Sequence, residues 1–422
     1  MIQIQMIREK TDEIIERLSV KNFNAKEIVS QILEIDSARR TTQKELDAIL
    51  SEANQIARQV GELMKSGKKA EADDLKNKST GLKESSRKLD EQLKAFEKQQ
   101  HDLLVLLPNI PSEKVPQGKT PADNIVTHEE GAIPKLTDGM PHWELTSKYD
   151  IIDFELGVKL TGAGFPVYKG KGARLQRALI NYFLDKATAA GYREIQPPIL
   201  VNEDSGFGTG QLPDKEGQMY HVGVDGLYLI PTAEVPLTNI YRDVILKSDE
   251  LPLKLCGYTP CFRREAGSYG KDVRGLNRLH QFDKVEIVQI QHPDKSYATL
   301  DEMAEHVASL LRSLQLPFRI LKLCGGDMSF ASALTFDFEV YSAAQQKWLE
   351  VSSVSNFETF QSNRMKLRFK NAEGKTQLPH TLNGSAIALP RIVAALLENN
   401  QSADGIIIPD ALRSYTEFDK IS

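Results

Sequence analysis

Residues 261–288, CFRREAGSYGKDVRGLNRLHQFDKVEIV, hold the densest set of side chains able to do chemistry. Arg263, Arg264 and Glu265 close one strand, and Gly267, Gly270 and Gly275 break up the polar, mobile loop that follows. A second strand runs from near Leu279 to about Ile290. Two arginines ahead of a glycine-rich loop suit a phosphate or a carboxylate, because a guanidinium binds either bidentately. Side chains alternate across a strand, so Phe282, Lys284, Glu286 and Val288 share one face and Val285 and Ile287 the other. The second face suits a core, and the first offers a ring and a carboxylate to a pocket. The plainer alternative is a hairpin with a solvated basic loop. Upstream, Thr232-Ala233-Glu234 joins a hydroxyl to a carboxylate, a combination that receives an ammonium group. The same three residues also read as a helix cap, with Thr232 two residues ahead of Glu234 and an apolar run behind them.

The elements that must position these groups are legible around them. Residues 172–190 read as an amphipathic helix, with Leu175, Leu179, Phe183 and Ala187 recurring every four residues. Gly191 stops it, and residues 192–201 read as a strand. A short strand at 227–230 delivers Thr232 and Glu234, and a helix at 297–314 follows the hairpin. Strands are expected at 336–340 and 348–353. Residues 380–401 read as a strand of small residues leading into a helix. Pro390 fits its first turn, where a missing N–H is harmless, and Arg391 stands near its start.

Residues 5–105 follow a different rule, with almost no proline and little glycine. Leu46, Ile49, Ala53, Ile56, Val60 and Leu63 form a heptad seam, which residues 65–68 (KSGK) interrupt. A second seam follows at Leu75, Leu82, Leu89, Phe96 and Leu103, with weaker intervening positions at Ser79, Ser86, Leu93 and Gln100. Two such helices joined by a short turn make an antiparallel hairpin, an arm of roughly 60 Å. Its outer face carries Arg58, Lys65, Lys68, Lys69, Lys76, Lys78, Lys83, Arg87 and Lys88, interleaved with acids. Taken singly these are solvated charges; taken as a set they can track a phosphate backbone. From 109 to 141 prolines and glycines end the periodicity, which reads as a linker laid along the next domain.

The totals narrow the class. A chain of 422 residues suits two or three domains, and its net charge of −5 means any nucleic-acid contact must use a local basic surface. The three cysteines, Cys256, Cys261 and Cys324, lack CxxC spacing and suggest buried thiols in a reducing compartment, with neither a disulfide framework nor a zinc site. No apolar run reaches spanning length and the N-terminus is charged early, so a cytoplasmic enzyme without a membrane partner is expected.

FRRE, the loop and HQFDKVE together resemble motif 2 of class II aminoacyl-tRNA synthetases, and EAGSYGKDVRGL is most similar to the seryl-tRNA synthetases. GYREIQPPILV resembles motif 1, with Pro198 at the proline position, and HTLNGSAIALPRIVAALLENNQ resembles motif 3. The chain has Ala386 and Pro390 where the family often has glycine. The tail, GIIIPDALRSY, is similar to the family as well, so the resemblance spans almost the whole chain.

The resemblance implies an α+β fold. It consists of an N-terminal antiparallel helical hairpin at 1–108, a coiled-coil arm that grips tRNA, and a linker at 109–141. A class II catalytic domain at 142–422 follows, with a mostly antiparallel sheet flanked by helices. It implies ATP-dependent attachment of serine to tRNA(Ser) through seryl-adenylate by a bacterial-type homodimer, with charging of tRNA(Sec) left open. Arg263 would hold the α-phosphate and the serine carboxylate, and Arg391 the far phosphate end, with Glu286 the third catalytic group. Thr232, Ala233, Glu234, Glu286, Asn383 and Ser385 would line the L-serine pocket. Arg264, Glu265, Leu279 and Phe282 fall at other ATP positions, Phe282 stacking under adenine opposite Arg391. Glu350, Val351, Ser352 and Ser353 resemble the ATP and metal segment, with Mg²⁺ held by Glu350 and Ser353 and no zinc. Those two residues lie on opposite faces of a regular strand, so the strand must end or bulge between them. Two other readings remain. A synthetase-like ligase loading an amino acid onto a carrier protein would not need the arm. A non-catalytic coiled-coil protein would not need the arginines and carboxylates.

Overall fold

The computed structural model describes residues 1–265 and 274–422. The loop glycines Gly267 and Gly270 lie outside the described residues. The chain forms two units, one of Met1–Ser19 with Phe23–Pro108 and one of Val20–Asn22 with Asn109–Ser422.

In the first unit the heptad seams become helices α1 (Lys26–Lys65) and α2 (Lys69–Leu106), packed along their lengths. Leu46, Ile56, Leu93 and Gln100 are buried, and the remaining seam positions are half-buried. The pairs Asp36–Gln100 and Glu52–Lys78 cross between the helices and make them antiparallel. Gly67 takes a φ of +78° in the turn, a conformation an L side chain resists. Gln100, a weak seam position by type, donates to buried Asp36 at 3.0 Å, beside Arg8 at 3.0 Å and Arg39 at 3.3 Å. A buried acid with three partners fixes register where leucine would permit sliding. Among the surface cations, Lys68, Lys76, Lys78, Arg87 and Lys88 each face a carboxylate.

The second unit is built on an eight-stranded sheet. Its strands are β1 (Ile125–Glu130), β2 (Arg193–Glu194), β3 (Leu253–Phe262), β4 (Gln281–Gln291), β5 (Phe318–Lys322), β6 (Leu334–Ser342), β7 (Lys347–Glu358) and β8 (His380–Ala388). The order is β1-β5-β6-β7-β8-β4-β3-β2, antiparallel throughout except for β2 against β3. Residues 125–130, inside the stretch read as a linker, thus supply an edge strand. The strand read at 192–201 is split. After β2, Leu200–Val201 pairs instead with Leu227–Leu229 in a small separate sheet. Pro197 and Pro198 lie between the two pieces, and neither offers an N–H to a ladder.

Helices α3 (Gly170–Ala189), α4 (Ser296–Ser313) and α5 (Leu389–Asn399) cover the sheet. Leu175, Leu179, Phe183 and Ala187 of α3 are buried, as are Ile392, Ala395 and Leu396 of α5, so the apolar stripes read from the sequence are the packed faces. Val285 and Ile287 of β4 join the same core. Fully burying side chains of this size contributes roughly 1.5–3 kcal/mol each. All three cysteines are free and buried.

Two ladder irregularities matter for the site. Between β6 and β7 the pairs run Phe338↔Ser352 and then Glu339↔Glu350, so Val351 is an extra residue. Between β4 and β8 they run Glu286↔Ser385 and then Lys284↔Ala388, one residue longer on β8. Ile387 in that second bulge has φ +115°, rare for a β-branched side chain.

Candidate active site

The centre of β4 carries the chemistry. Glu286, 1% exposed, accepts from Lys284 Nζ at 2.6 Å and from the Thr232 hydroxyl at 3.2 Å on one oxygen, and from Asn383 Nδ2 at 3.2 Å on the other. Lys284 Nζ also donates to Thr232 Oγ1 at 2.8 Å. The period-two rule explains this meeting, since residues 284 and 286 share a strand face. Pairing β4 with β8 brings Asn383 and Ser385 alongside, both buried.

Thr232 and Glu234 arrive from the turn ahead of the short helix Glu234–Asn239. The Glu234 amide donates to Thr232 Oγ1 at 3.2 Å, so the cap reading and the pocket reading describe one hydroxyl. Ala233 is fully buried and gives way to no solvent. Glu234 Oε1 accepts from Gln361 Nε2 at 2.6 Å. Burial first, and then the charge of Glu286, push the Glu234 carboxyl up to about 7. Lys284 pairs with Glu286, and among the described residues Glu234 makes no ion pair of its own, with Lys284 and Arg263 acting on it only from farther off. A buried carboxylate in that position favours an incoming ammonium.

Beside this cluster lie the motif 2 arginines. The Arg263 guanidinium sits over the Phe282 ring at 5.2 Å. The Arg263 amide donates to the His280 carbonyl and the Arg264 amide to the Gln218 carbonyl. Glu265 accepts from Arg278 at 2.9 Å, and Leu279 is buried beneath the turn. Arg391, in the first turn of α5, donates from Nε to the Asn277 carbonyl at 3.1 Å and from Nη1 to the Glu350 carbonyl at 2.7 Å. In this arrangement Phe282 is covered by Arg263, and Arg391 is turned to backbone carbonyls.

The bulge at Val351 puts Glu350 and Ser353 on one face, as a shared ion requires. Val351 and Ser352 are both buried, and the Ser352 hydroxyl donates to the Ser385 carbonyl at 2.5 Å. Asp337, which pairs with Ser353 across the ladder, has a shielded Oδ1 with no hydrogen-bond partner among the described residues. Burial first, then the charge of Glu350, hold its carboxyl well above the usual carboxylate range, while the Ser353 hydroxyl bonds it. Two crowded carboxylates with an orphaned oxygen suit a divalent cation that neutralises them. Among the described residues no group of three or more His, Cys, Asp or Glu is arranged around one metal position. Mg²⁺ tolerates so few protein ligands because it keeps water and phosphate oxygens in its shell.

The structure therefore brings Thr232, Ala233, Glu234, Glu286, Asn383 and Ser385 together, and gathers Arg263 and Phe282 beside them. The two-residue spacing of Lys284 from Glu286 puts both on the pocket face, and that spacing is the signal in the sequence for their ion pair. Gln361, which holds Glu234 in place, comes from the helix Phe360–Arg364 and had no signal in the sequence.

Residues 1–111 match the family model for the seryl-tRNA synthetase N-terminal domain, and residues 220–400 match the class II core domain model of the G, H, P, S and T enzymes. A serine–tRNA ligase of Salinibacter ruber is 50% identical over 100% of this chain and 99% of its own length. One from Methylacidiphilum infernorum is 46% identical over 98% and 99%. The crystal structure of seryl-tRNA synthetase from Pyrococcus horikoshii complexed with ATP superposes with a TM-score of 0.93 at 31% identity, covering 100% of this chain and 99% of that one. The chain belongs to the seryl-tRNA synthetase family of class II aminoacyl-tRNA synthetases, and it joins serine to tRNA with ATP.

Proposed function

We propose that residues 142–422 activate serine, that residues 1–108 grip the tRNA, and that 109–141 link the two. In the first step the serine carboxylate attacks the α-phosphate of ATP, and pyrophosphate leaves from the opposite side. Placement and charge neutralisation dominate such a step, with no protein nucleophile needed. Arg263 holds the α-phosphate and the serine carboxylate, with Arg264 and Glu265 beside it. Arg391 keeps Nε on the Asn277 carbonyl and exchanges the Glu350 carbonyl at Nη1 for the far phosphates. Phe282 gives up its cover by Arg263 and packs on adenine, with Leu279 behind. Glu350 and Ser353 would hold Mg²⁺ on the phosphates, with Val351 and Ser352 forming the bulge that aims them; the ion supplies charge neutralisation there. In the second step the ribose 3′-hydroxyl of the terminal adenosine attacks the acyl carbon, and AMP leaves.

Glu234 takes the serine ammonium. Glu286, fixed by Lys284 and Asn383, reads the hydroxyl with Ser385. Alanine would leave these buried polar groups unpaired, and threonine would need space for its methyl. The observation that carries this reading is the charge balance: Glu234, a carboxylate with no ion pair among the described residues, beside the paired Lys284–Glu286. The test is ATP–pyrophosphate exchange with each of the twenty amino acids. Serine should support it far better than alanine or threonine, and equal exchange with alanine would overturn the pocket.

Assembly as a homodimer is supported by an open cleft on α3, where Ile180 and Leu184 meet Ile195, Tyr168 and Tyr258. Apolar side chains facing an open cleft suit a second subunit. Among the described residues no helix is long and apolar enough to cross a membrane. The tRNA partner is tRNA(Ser), with tRNA(Sec) a second acceptor to test by charging.

A further inference from the structure

We propose that the buried pair His142–Glu398 is a positioning device for the ATP end of the site, acting through Asn277 on Arg391. The inference rests on the reading of Arg391 as an ATP ligand.

The two side chains are 0% exposed. His142 Nδ1 lies 2.7 Å from Glu398 Oε1, which also accepts the His142 amide at 2.9 Å. On the other edge of the ring, Nε2 accepts the Leu276 amide at 2.8 Å. These partners fix the tautomer. Nε2 must carry a lone pair toward an N–H, so the proton is on Nδ1 and is donated to the carboxylate. The imidazole thereby converts a buried carboxylate on α5 into an acceptor for one backbone amide of the returning motif 2 segment.

That segment is held from several sides. Arg274 stacks over the Trp143 ring at 4.8 Å. Gly275 passes so close that a Cβ there would lie 2.2 Å from His142 Nε2, and its φ is +67°. Asn277 donates to Gln345 Oε1 at 3.0 Å, and Gln345 donates to Glu398 Oε1 at 2.9 Å. Ser342 donates to the other Glu398 oxygen. The circuit His142–Glu398–Gln345–Asn277–Leu276 is therefore closed. Among the described residues its outward connection toward the ATP groups is the Asn277 carbonyl, which accepts Arg391 Nε at 3.1 Å. Nε is the stem of the guanidinium fork. Fixing it leaves the Nη nitrogens aimed while they exchange the Glu350 carbonyl for phosphate. A pair that served only to pack the helix His142–Lys148 against α5 would need no acceptor facing Leu276.

The test is ATP–pyrophosphate exchange by the full-length chain, with ATP and serine varied separately. His142→Asn keeps a donor for Glu398 but cannot reach the Leu276 amide. His142→Gln can place an oxygen near the Nε2 position. Leaving one buried amide unpaired should raise KM for ATP by about ten-fold in His142→Asn, with KM for serine unchanged and partial recovery in His142→Gln. Gly275→Ala, which keeps the buried pair and pushes the segment off it, should give the same ATP defect and covers the case in which His142→Asn fails to fold. Arg391→Ala is the control for the underlying reading: if it leaves KM for ATP unchanged, Arg391 is not an ATP ligand and that reading fails on its own. If Arg391→Ala does weaken ATP, adding His142→Asn to it should cost nothing further. A full additional loss in the double variant, or folded His142→Asn and Gly275→Ala proteins with normal KM for ATP, overturns the proposal.

Discussion

Lowering the pH from 8 to 6 should weaken serine activation about ten-fold at constant ATP. The group responsible is Glu234, whose carboxyl is pushed up to about 7 by burial and by Glu286. Only its ionised form can balance the substrate ammonium. With a pKa near 7 the ionised share falls from about nine-tenths at pH 8 to about one-tenth at pH 6. The fall should appear in kcat/KM for serine, read by pyrophosphate exchange, while KM for ATP stays level. Glu234→Gln should remove the step and leave a low, flat profile.

The same group gives an independent reading through stability. Its folded-state pKa is raised from an ordinary 4.5 to about 7, so the folded chain holds the proton more tightly than the unfolded one. The resulting stabilisation is complete below about 4.5, declines as pH rises through 7, and amounts to about 3 kcal/mol across that window. Serine should offset the loss, because its ammonium pairs with the carboxylate that ionises. The thermal shift given by saturating serine should therefore be larger at pH 8 than at pH 6. A flat wild-type profile, or a step near pH 7 that survives in Glu234→Gln, would refute the reasoning.

Lys284→Met should destabilise the chain by about 3–5 kcal/mol, because it leaves the Glu286 carboxylate in the interior without its cation; denaturant titration should show the loss, and Lys284→Met with Glu286→Gln should recover most of it. Arg263→Ala should abolish exchange with the fold intact by circular dichroism, since the guanidinium lies over the half-exposed Phe282 ring and not in the core; near-normal exchange would remove it from the mechanism. Ile387→Gly should relieve about 1–3 kcal/mol of backbone strain but lose about 2–5 kcal/mol of buried side chain, so a net fall in Tm is expected. Deleting residues 45–93 should leave exchange near normal and weaken tRNA binding; unaltered tRNA affinity would make the arm an appendage. The salt dependence of tRNA binding should flatten less than four cations suggest when Lys76, Lys78, Lys83 and Arg87 are neutralised, because three of them already face acids.

Local periodicity made much of this fold legible. The arm was readable because a heptad needs nothing beyond the chain's own spacing, and Leu175, Leu179 and Phe183 marked the face of α3 for the same reason. Polar partners resisted the reading wherever they came from distant segments. Gln100 is a weak seam position by type, and its partner Asp36, held by Arg8 and Arg39, is what explains it. Lys284 was placed on the correct face, yet its tie to Thr232 depends on a turn 52 residues away. His142 and Glu398 stand 256 residues apart, and although Glu398 falls in the stretch that resembles motif 3, no pattern in the sequence ties it to His142.

The two bulges explain why the motif segments are composed as they are. A regular β7 would point Glu350 and Ser353 to opposite faces, and the extra residue at Val351 resets the alternation so that both face the same way. The cost falls on Val351 and Ser352, two consecutive residues that must both be buried. β8 repeats the device: Ala386 and Ile387 are both fully buried, and Ser385 faces the pocket on one side of the irregularity while Arg391 leaves α5 on the other. Alternation alone would therefore misassign one residue in each strand at the place where the substrate groups meet. A bulge is invisible to a period-two pattern, because two adjacent buried positions look the same as a strand covered on both faces. What reveals it is the demand, implied by the family resemblance, that Glu350 and Ser353 be able to face one ion, and a requirement of that kind can be stated from the sequence before any ladder is drawn.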